Sequence, residues 1–128
     1  SGNISQLSDN NLNGGFKQAI FSDEDDEIII ITNEGKDFSG IAKLNLKSNN
    51  ITEAGAQSLA QATNLSKLEQ LILKFNRIGE QGAKYLAQSE TLVNLTTLDL
   101  FRNRIGDAGA KAIKSSKIFR GVSRLRLD

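Results

Sequence analysis

The stretch "LNLKSNNITEAGAQSLA" (residues 44–60) returns as "LILKFNRIGEQGAKYLA" (71–87) and again as "LDLFRNRIGDAGAKAIK" (98–114). Successive copies begin 27 residues apart, and the register holds well beyond the leucines. Leu44, Leu71, Leu98 and Leu125 share one phase, and Leu46, Leu73, Leu100 and Leu127 share another. Asn49, Asn76 and Asn103 follow, then Ile51, Ile78 and Ile105. The pairs Gly55-Ala56, Gly82-Ala83 and Gly109-Ala110 recur, and so do Leu59, Leu86 and Ile113. Two further sets close the unit: Leu65, Leu92 and Phe119, then Leu68, Leu95 and Val122. A fixed period of this length marks a chain of stacked coils.

Each part of the unit has a physical job. Leu-x-Leu has a period of two, so both leucines point to one face of a short strand. The asparagine after the strand can hydrogen-bond backbone groups of neighbouring coils through its amide, as a ladder. Thr52-Glu53, Gly79-Glu80 and Gly106-Asp107 place a cap and an acid where a helix starts, and the helix dipole favours the negative charge. The Gly-Ala pairs are expected to let each helix approach its strand closely. One coil cannot bury its own apolar face, so the coils stack.

These residues resemble a leucine-rich repeat protein of the ribonuclease-inhibitor-like subtype, whose long helical repeats bear the Gly-Ala-x-x-Leu-Ala signature. The resemblance covers residues 38–128. It implies an α/β leucine-rich repeat solenoid, a right-handed β-α superhelix with parallel strands on the concave face and helices on the convex face. Residues 38–128 are then three regular 27-residue repeats plus the strand of a fourth. Residues 1–37 are expected to form an irregular N-terminal capping repeat with an acidic insertion. The resemblance also implies a non-catalytic module that binds a partner protein through its concave face. The subtype is seen in an activator of a small GTPase, in immune sensors and in bacterial effectors, so the alternatives are a regulatory subunit, activator or inhibitor of an enzyme such as a small GTPase, or a fragment of an immune sensor or bacterial effector.

"SDNNLNGG" (8–15) looks like a calcium loop, with Asp9, Asn11 and Asn13 alternating before Gly14. An EF-hand loop needs a bidentate Glu at its twelfth position. That position is Ile20 here. Leu7, Asn10 and Leu12 instead match Leu46, Asn49 and Ile51, so the stretch reads as a degenerate first repeat with Asn10 as its ladder residue. Between Asn10 and Asn49 the chain is longer than the period allows. The excess holds the acidic run Asp23-Glu24-Asp25-Asp26-Glu27 and the β-branched run Ile28–Ile31, which reads as a buried or edge strand. At the other end Leu125-Arg126-Leu127-Asp128 starts a repeat and stops after its strand, the pattern expected of a fragment of a longer array. That open edge is a candidate for self-association.

Composition narrows the chemistry. Cys, His and Met are all absent from the 128 residues. The missing Cys and His remove disulfides, most zinc and copper sites, and Ser-His or Cys-His nucleophile pairs. No phosphate-binding glycine loop occurs. Catalytic, cofactor and metal sites are all expected to be none. The net charge of +1 hides an acidic N-terminal third and a basic remainder. No run of apolar residues is long enough for a membrane span, and no signal peptide opens the chain. The expected setting is intracellular, in a cytoplasm or as a bacterial effector delivered to a host cytoplasm. The sequons at Asn3, Asn50, Asn64 and Asn94 read as by-products of the repeat. Nucleic acid is not an expected partner, because the basic residues fall on both faces.

The strand positions that do not point inward should form the binding surface. The expected partner-binding residues are Lys47, Ile72, Lys74, Phe75, Asp99, Phe101, Arg102, Arg124 and Arg126. Phe75 and Phe101 stand out because the chain has six Phe, one Tyr and no Trp. Aromatics flanked by Arg and Lys are the usual makeup of a binding hot spot. The expected partner is a protein with an acidic and partly apolar surface.

Overall fold

Strand, turn and helix follow one another as the periodicity predicts. The computed structural model of the chain describes residues 18–22, 27–31 and 42–127. Short strands β3 (Lys43–Asn45), β4 (Gln70–Ile72), β5 (Thr97–Asp99) and β6 (Arg124–Arg126) form one parallel sheet in that order. Its register is the sequence period: Leu44 pairs with Leu71, Leu71 with Leu98, and Leu98 with Leu125. Helices α1 (Glu53–Ala60), α2 (Gly79–Ala87) and α3 (Gly106–Ser115) follow β3, β4 and β5. The architecture is an α/β repeat solenoid, with strands on the concave side and helices on the convex side.

The core is one apolar cluster between sheet and helices. Leu44, Leu46, Leu59, Leu65, Leu71, Leu73, Leu86, Leu98 and Leu100 are fully buried in it. On β6 the inward position changes character: Leu125 is 38% exposed, because one face of the fourth coil has no neighbour among the described residues. Phe119 takes the place that Leu65 and Leu92 fill in the earlier coils and is buried.

The asparagines form the expected ladder. Asn76 Oδ1 accepts from the N–H groups of Asn49 (2.9 Å) and Ile51 (3.0 Å) in the preceding coil. Its Nδ2 donates to the carbonyls of Leu46 (2.9 Å) and Leu73 (2.8 Å). Asn103 repeats the pattern one coil on, accepting from Ile78 N and donating to Leu73 O. Asn49 Nδ2 donates to Lys47 O, but its buried Oδ1 accepts from no described residue.

Three details differ from the sequence reading. Gly82 and Gly109 face the neighbouring helix rather than the strand. A Cβ on Gly82 would overlap Ile78 Cγ2 and lie 3.3 Å from both Ala56 Cβ and Glu53 Cα of α1. Gly109 meets Ile105, Ala83 and Glu80 in the same way. The helix starts also differ among themselves. Thr52 caps α1 with its hydroxyl, which accepts from Ala54 N at 3.4 Å. Gly79 and Gly106 offer no side chain and instead turn the chain at φ +71° and +68°, where glycine is at ease. Finally, Ile28–Ile31 belongs to β2 (Glu27–Ile31), which pairs antiparallel with an unforeseen strand, β1 (Gln18–Ser22). This hairpin is a separate sheet, with β1 close to β3 and to the 3-10 turn Thr63–Leu65. The residues of the supposed calcium loop, and Asn10, lie outside the described residues.

A second ladder was not foreseen. Ser89 Oγ donates to Ala60 O at 2.6 Å, and Ser116 Oγ does the same to Ala87 O at 2.6 Å. Both carbonyls lie at helix C-termini, where the last turn leaves acceptors without intrahelical partners. Ser89 Oγ also accepts from Thr91 N and Leu92 N, both at 3.1 Å. Ser89→Ala is therefore expected to lower stability by about 1–2 kcal/mol, since buried backbone groups lose their partner. Thr91 Oγ1 still reaches Ala60 O and limits the loss. Chemical denaturation compared with the wild type measures it.

Candidate functional site

The outward side chains of the sheet stand in rows set by its register. Asn45, Ile72, Asp99 and Arg126 form one row, and Lys43, Gln70, Thr97 and Arg124 another. Beyond the strand ends the coils remain in step. Ser48 N donates to Lys74 O, and Phe75 N donates to Phe101 O at 2.9 Å. Adjacent strands lie about 4.8 Å apart, so aromatic and cationic side chains in neighbouring coils can touch.

They do touch. The Phe75 and Phe101 rings meet edge to face, with centroids 5.9 Å apart and planes at 73°. The Arg126 guanidinium lies over the Phe101 ring at 4.1 Å and Arg102 over the same ring at 5.2 Å. Lys74 Nζ lies 5.9 Å from the Phe75 ring. Of the residues expected in the site, Lys74, Phe75, Phe101, Arg102 and Arg126 thus form one cluster. Phe75 is 49% exposed and Phe101 is half-buried, so neither ring folds away into the core. Ile72 and Asp99 adjoin the cluster on β4 and β5. Asp99 has a backbone role as well: its Oδ1 accepts from Phe101 N at 3.0 Å and so holds the turn that carries the ring. Lys47 lies one coil before the cluster, and Arg124 lies in the row of Thr97.

The backbone aims Phe75 outward. Ser48, Phe75 and Arg102, each at the same place in its coil, have φ of 59°, 61° and 60°. This left-handed region is disfavoured for bulky residues and tolerated best by Gly and Asn. Its recurrence every 27 residues shows that the turn, not the side chain, imposes it. For Phe75→Asn, relief of about 1 kcal/mol of backbone cost opposes loss of an aromatic pair worth about 0.5–1.5 kcal/mol. The melting temperature is expected to move by less than about 5 °C. A drop well beyond that in a thermal melt would make Phe75 a packing residue.

Two residues outside the expected set complete the site. Arg77 and Arg104 line a notch with Phe75, Asn76, Phe101 and Arg102. Each follows a ladder asparagine directly, so their 27-residue spacing was the available signal. Among the described residues there is no cluster of three or more His, Cys, Asp or Glu placed to hold a metal. No helix among them is long and apolar enough to cross a membrane.

Stacked coils with a parallel sheet, helices alternating with strands and an asparagine ladder define an α/β repeat solenoid. The family model described as Leucine Rich repeat matches residues 42–60, 64–87 and 91–114, more than half of the chain, and the protein belongs to that family. Comparison with curated proteins gave no match. Repeats of this family are generally protein-interaction modules and typically non-catalytic.

Proposed function

We propose that the chain binds a partner protein through the concave strip centred on Phe75, Phe101, Lys74, Arg102 and Arg126. The observation behind this reading is the half-exposed Phe75–Phe101 pair, ringed by three cations on a rigid sheet. Side chains fixed by parallel strands lose little entropy on docking. The rings supply apolar area for the centre of an interface, and the cations supply a polar rim. The partner surface is acidic and partly apolar, so association weakens as salt rises. The Gly-Ala-x-x-Leu-Ala signature of α1 and α2, and helices of eight to ten residues, support the ribonuclease-inhibitor-like subtype.

Affinity capture followed by a binding titration tests the reading. Phe75→Ala and Phe101→Ala are each expected to weaken the captured complex by about 1–3 kcal/mol. Lys84→Glu, on the convex face, breaks only an exposed pair with Glu80 at 2.8 Å and should leave binding unchanged. Loss of binding in Lys84→Glu with none in the two Phe variants would move the interface to the helices.

A further inference from the structure

Arg77 and Arg104 have a chemistry that the strip alone does not use. The repeat brings both guanidinium groups to the same edge of the sheet, one coil apart. Both residues are exposed, and neither forms an ion pair with a described residue; the one salt bridge among those residues is Lys84–Glu80 on α2. With Phe75, Phe101, Arg102 and Asn76 they line a half-open notch of about 650 Å³, a size comparable to small-ligand sites of about 300–1,000 Å³. Asn76 offers nothing to a ligand, since both ends of its amide are engaged by backbone. Asp99 directs one oxygen to Phe101 N. Polar recognition in the notch therefore falls to the guanidinium groups of Arg77 and Arg104, and the apolar walls are two phenyl rings.

Like charges gathered at one mouth repel, and an oxyanion seated between them removes that repulsion. The planar guanidinium fork matches carboxylate and phosphate oxygens, often two at a time. A ring carried beside the anion can lie against Phe75 or Phe101. We infer that this notch takes an oxyanion held next to an aromatic ring on the partner protein. A phosphorylated tyrosine has this chemistry, and so has a carboxylate beside an aromatic side chain. The inference rests on the concave-strip reading and names the ligand group that the strip receives.

The test needs no partner. The full chain, labelled with ¹⁵N, is titrated with phenyl phosphate, phenylacetate, inorganic phosphate and phenol while backbone amide signals are followed. Phenyl phosphate should shift the amides of residues 75–77 and 101–104 saturably. It should bind about tenfold more tightly than inorganic phosphate, the equivalent of one ring contact. The double variant Arg77→Gln/Arg104→Gln should lose this binding while its other amide signals stay in place. Equal affinity for phenyl phosphate and inorganic phosphate overturns the inference, and so does unchanged binding in the double variant or shifts confined to other surfaces. Phenylacetate separates the two sources: affinity equal to phenyl phosphate points to a carboxylate, and a several-fold weaker one points to a phosphorylated tyrosine. If phenyl phosphate fails while Phe75→Ala still weakens the captured complex, the notch falls and the concave strip stands.

Discussion

Asn76→Ala is expected to destabilise the protein by about 3–5 kcal/mol and to lower its melting temperature by roughly 10–20 °C. Asn76 is 5% exposed, and its side chain hydrogen-bonds five backbone groups in two coils. Removing it takes a partner from the N–H groups of Asn49 and Ile51 and from the carbonyl of Leu46, while Leu73 O keeps its bond from Asn103 Nδ2. Each buried group left unsatisfied costs about 1–3 kcal/mol, though water entering the gap keeps the total below the sum. Stability in a solenoid comes from nearest-neighbour interfaces, so a break between the first two described coils should also reduce cooperativity. Asn49→Ala supplies the comparison. Asn49 is buried too, but among the described residues its Oδ1 accepts from none and its Nδ2 bonds only Lys47 O. Its loss should be less than half as large. Equal losses in denaturant titrations of the two variants would remove the ladder as the reason for the asparagines.

The ladder was legible in the sequence because each coil repeats the same physical task at the same offset. Leu71 must point inward between Leu44 and Leu98, so one 27-residue spacing sets both core and register. The outward strip followed from that register, since Phe75 and Phe101 occupy strand-end positions that cannot face the core. What the spacing could not convey was direction around the helix. Gly82 lies on a buried helical face, and the periodicity does not say whether strand or neighbouring helix presses on it. The serine ladder was hidden because its first-coil counterpart is Ala62, which breaks the pattern in one coil of three. Arg77 and Arg104 follow the ladder asparagines, beyond the strand positions from which the binding surface is expected. Both line the notch, Arg104 with a φ of 57° and Arg77 without a left-handed backbone, and a strand pattern does not anticipate either placement. The hairpin β1–β2 escaped because only its second strand has a β-branched run.

The direction in which Gly82 faces makes the second large prediction. Gly82→Leu is expected to lose about 3 kcal/mol or more, as overpacking against backbone outweighs any helix-propensity gain. Replacing a helical glycine gains at most about 1 kcal/mol of propensity. Against that, the new Cβ overlaps Ile78 Cγ2, and Ile78 is itself 1% exposed, with a branched side chain that has little room to turn. On the far side lie Ala56 Cβ and Glu53 Cα at 3.3 Å, and the second of these is backbone that moves only if α1 moves. A leucine adds three more carbons to the same gap, so α2 must separate from α1 and open the core between Leu59 and Leu86. Gly82→Ala carries the same Cβ overlap with Ile78 and should itself be destabilising by about 1–3 kcal/mol, less than the leucine. Gly121 is the control, because a Cβ there meets only Leu95 O, at 3.8 Å. Gly121→Ala should stay within about 0.5 kcal/mol of the wild type, as surface changes do. If thermal melts give Gly82→Leu and Gly121→Ala the same midpoint, the close helix–helix seam is not what the glycine is for.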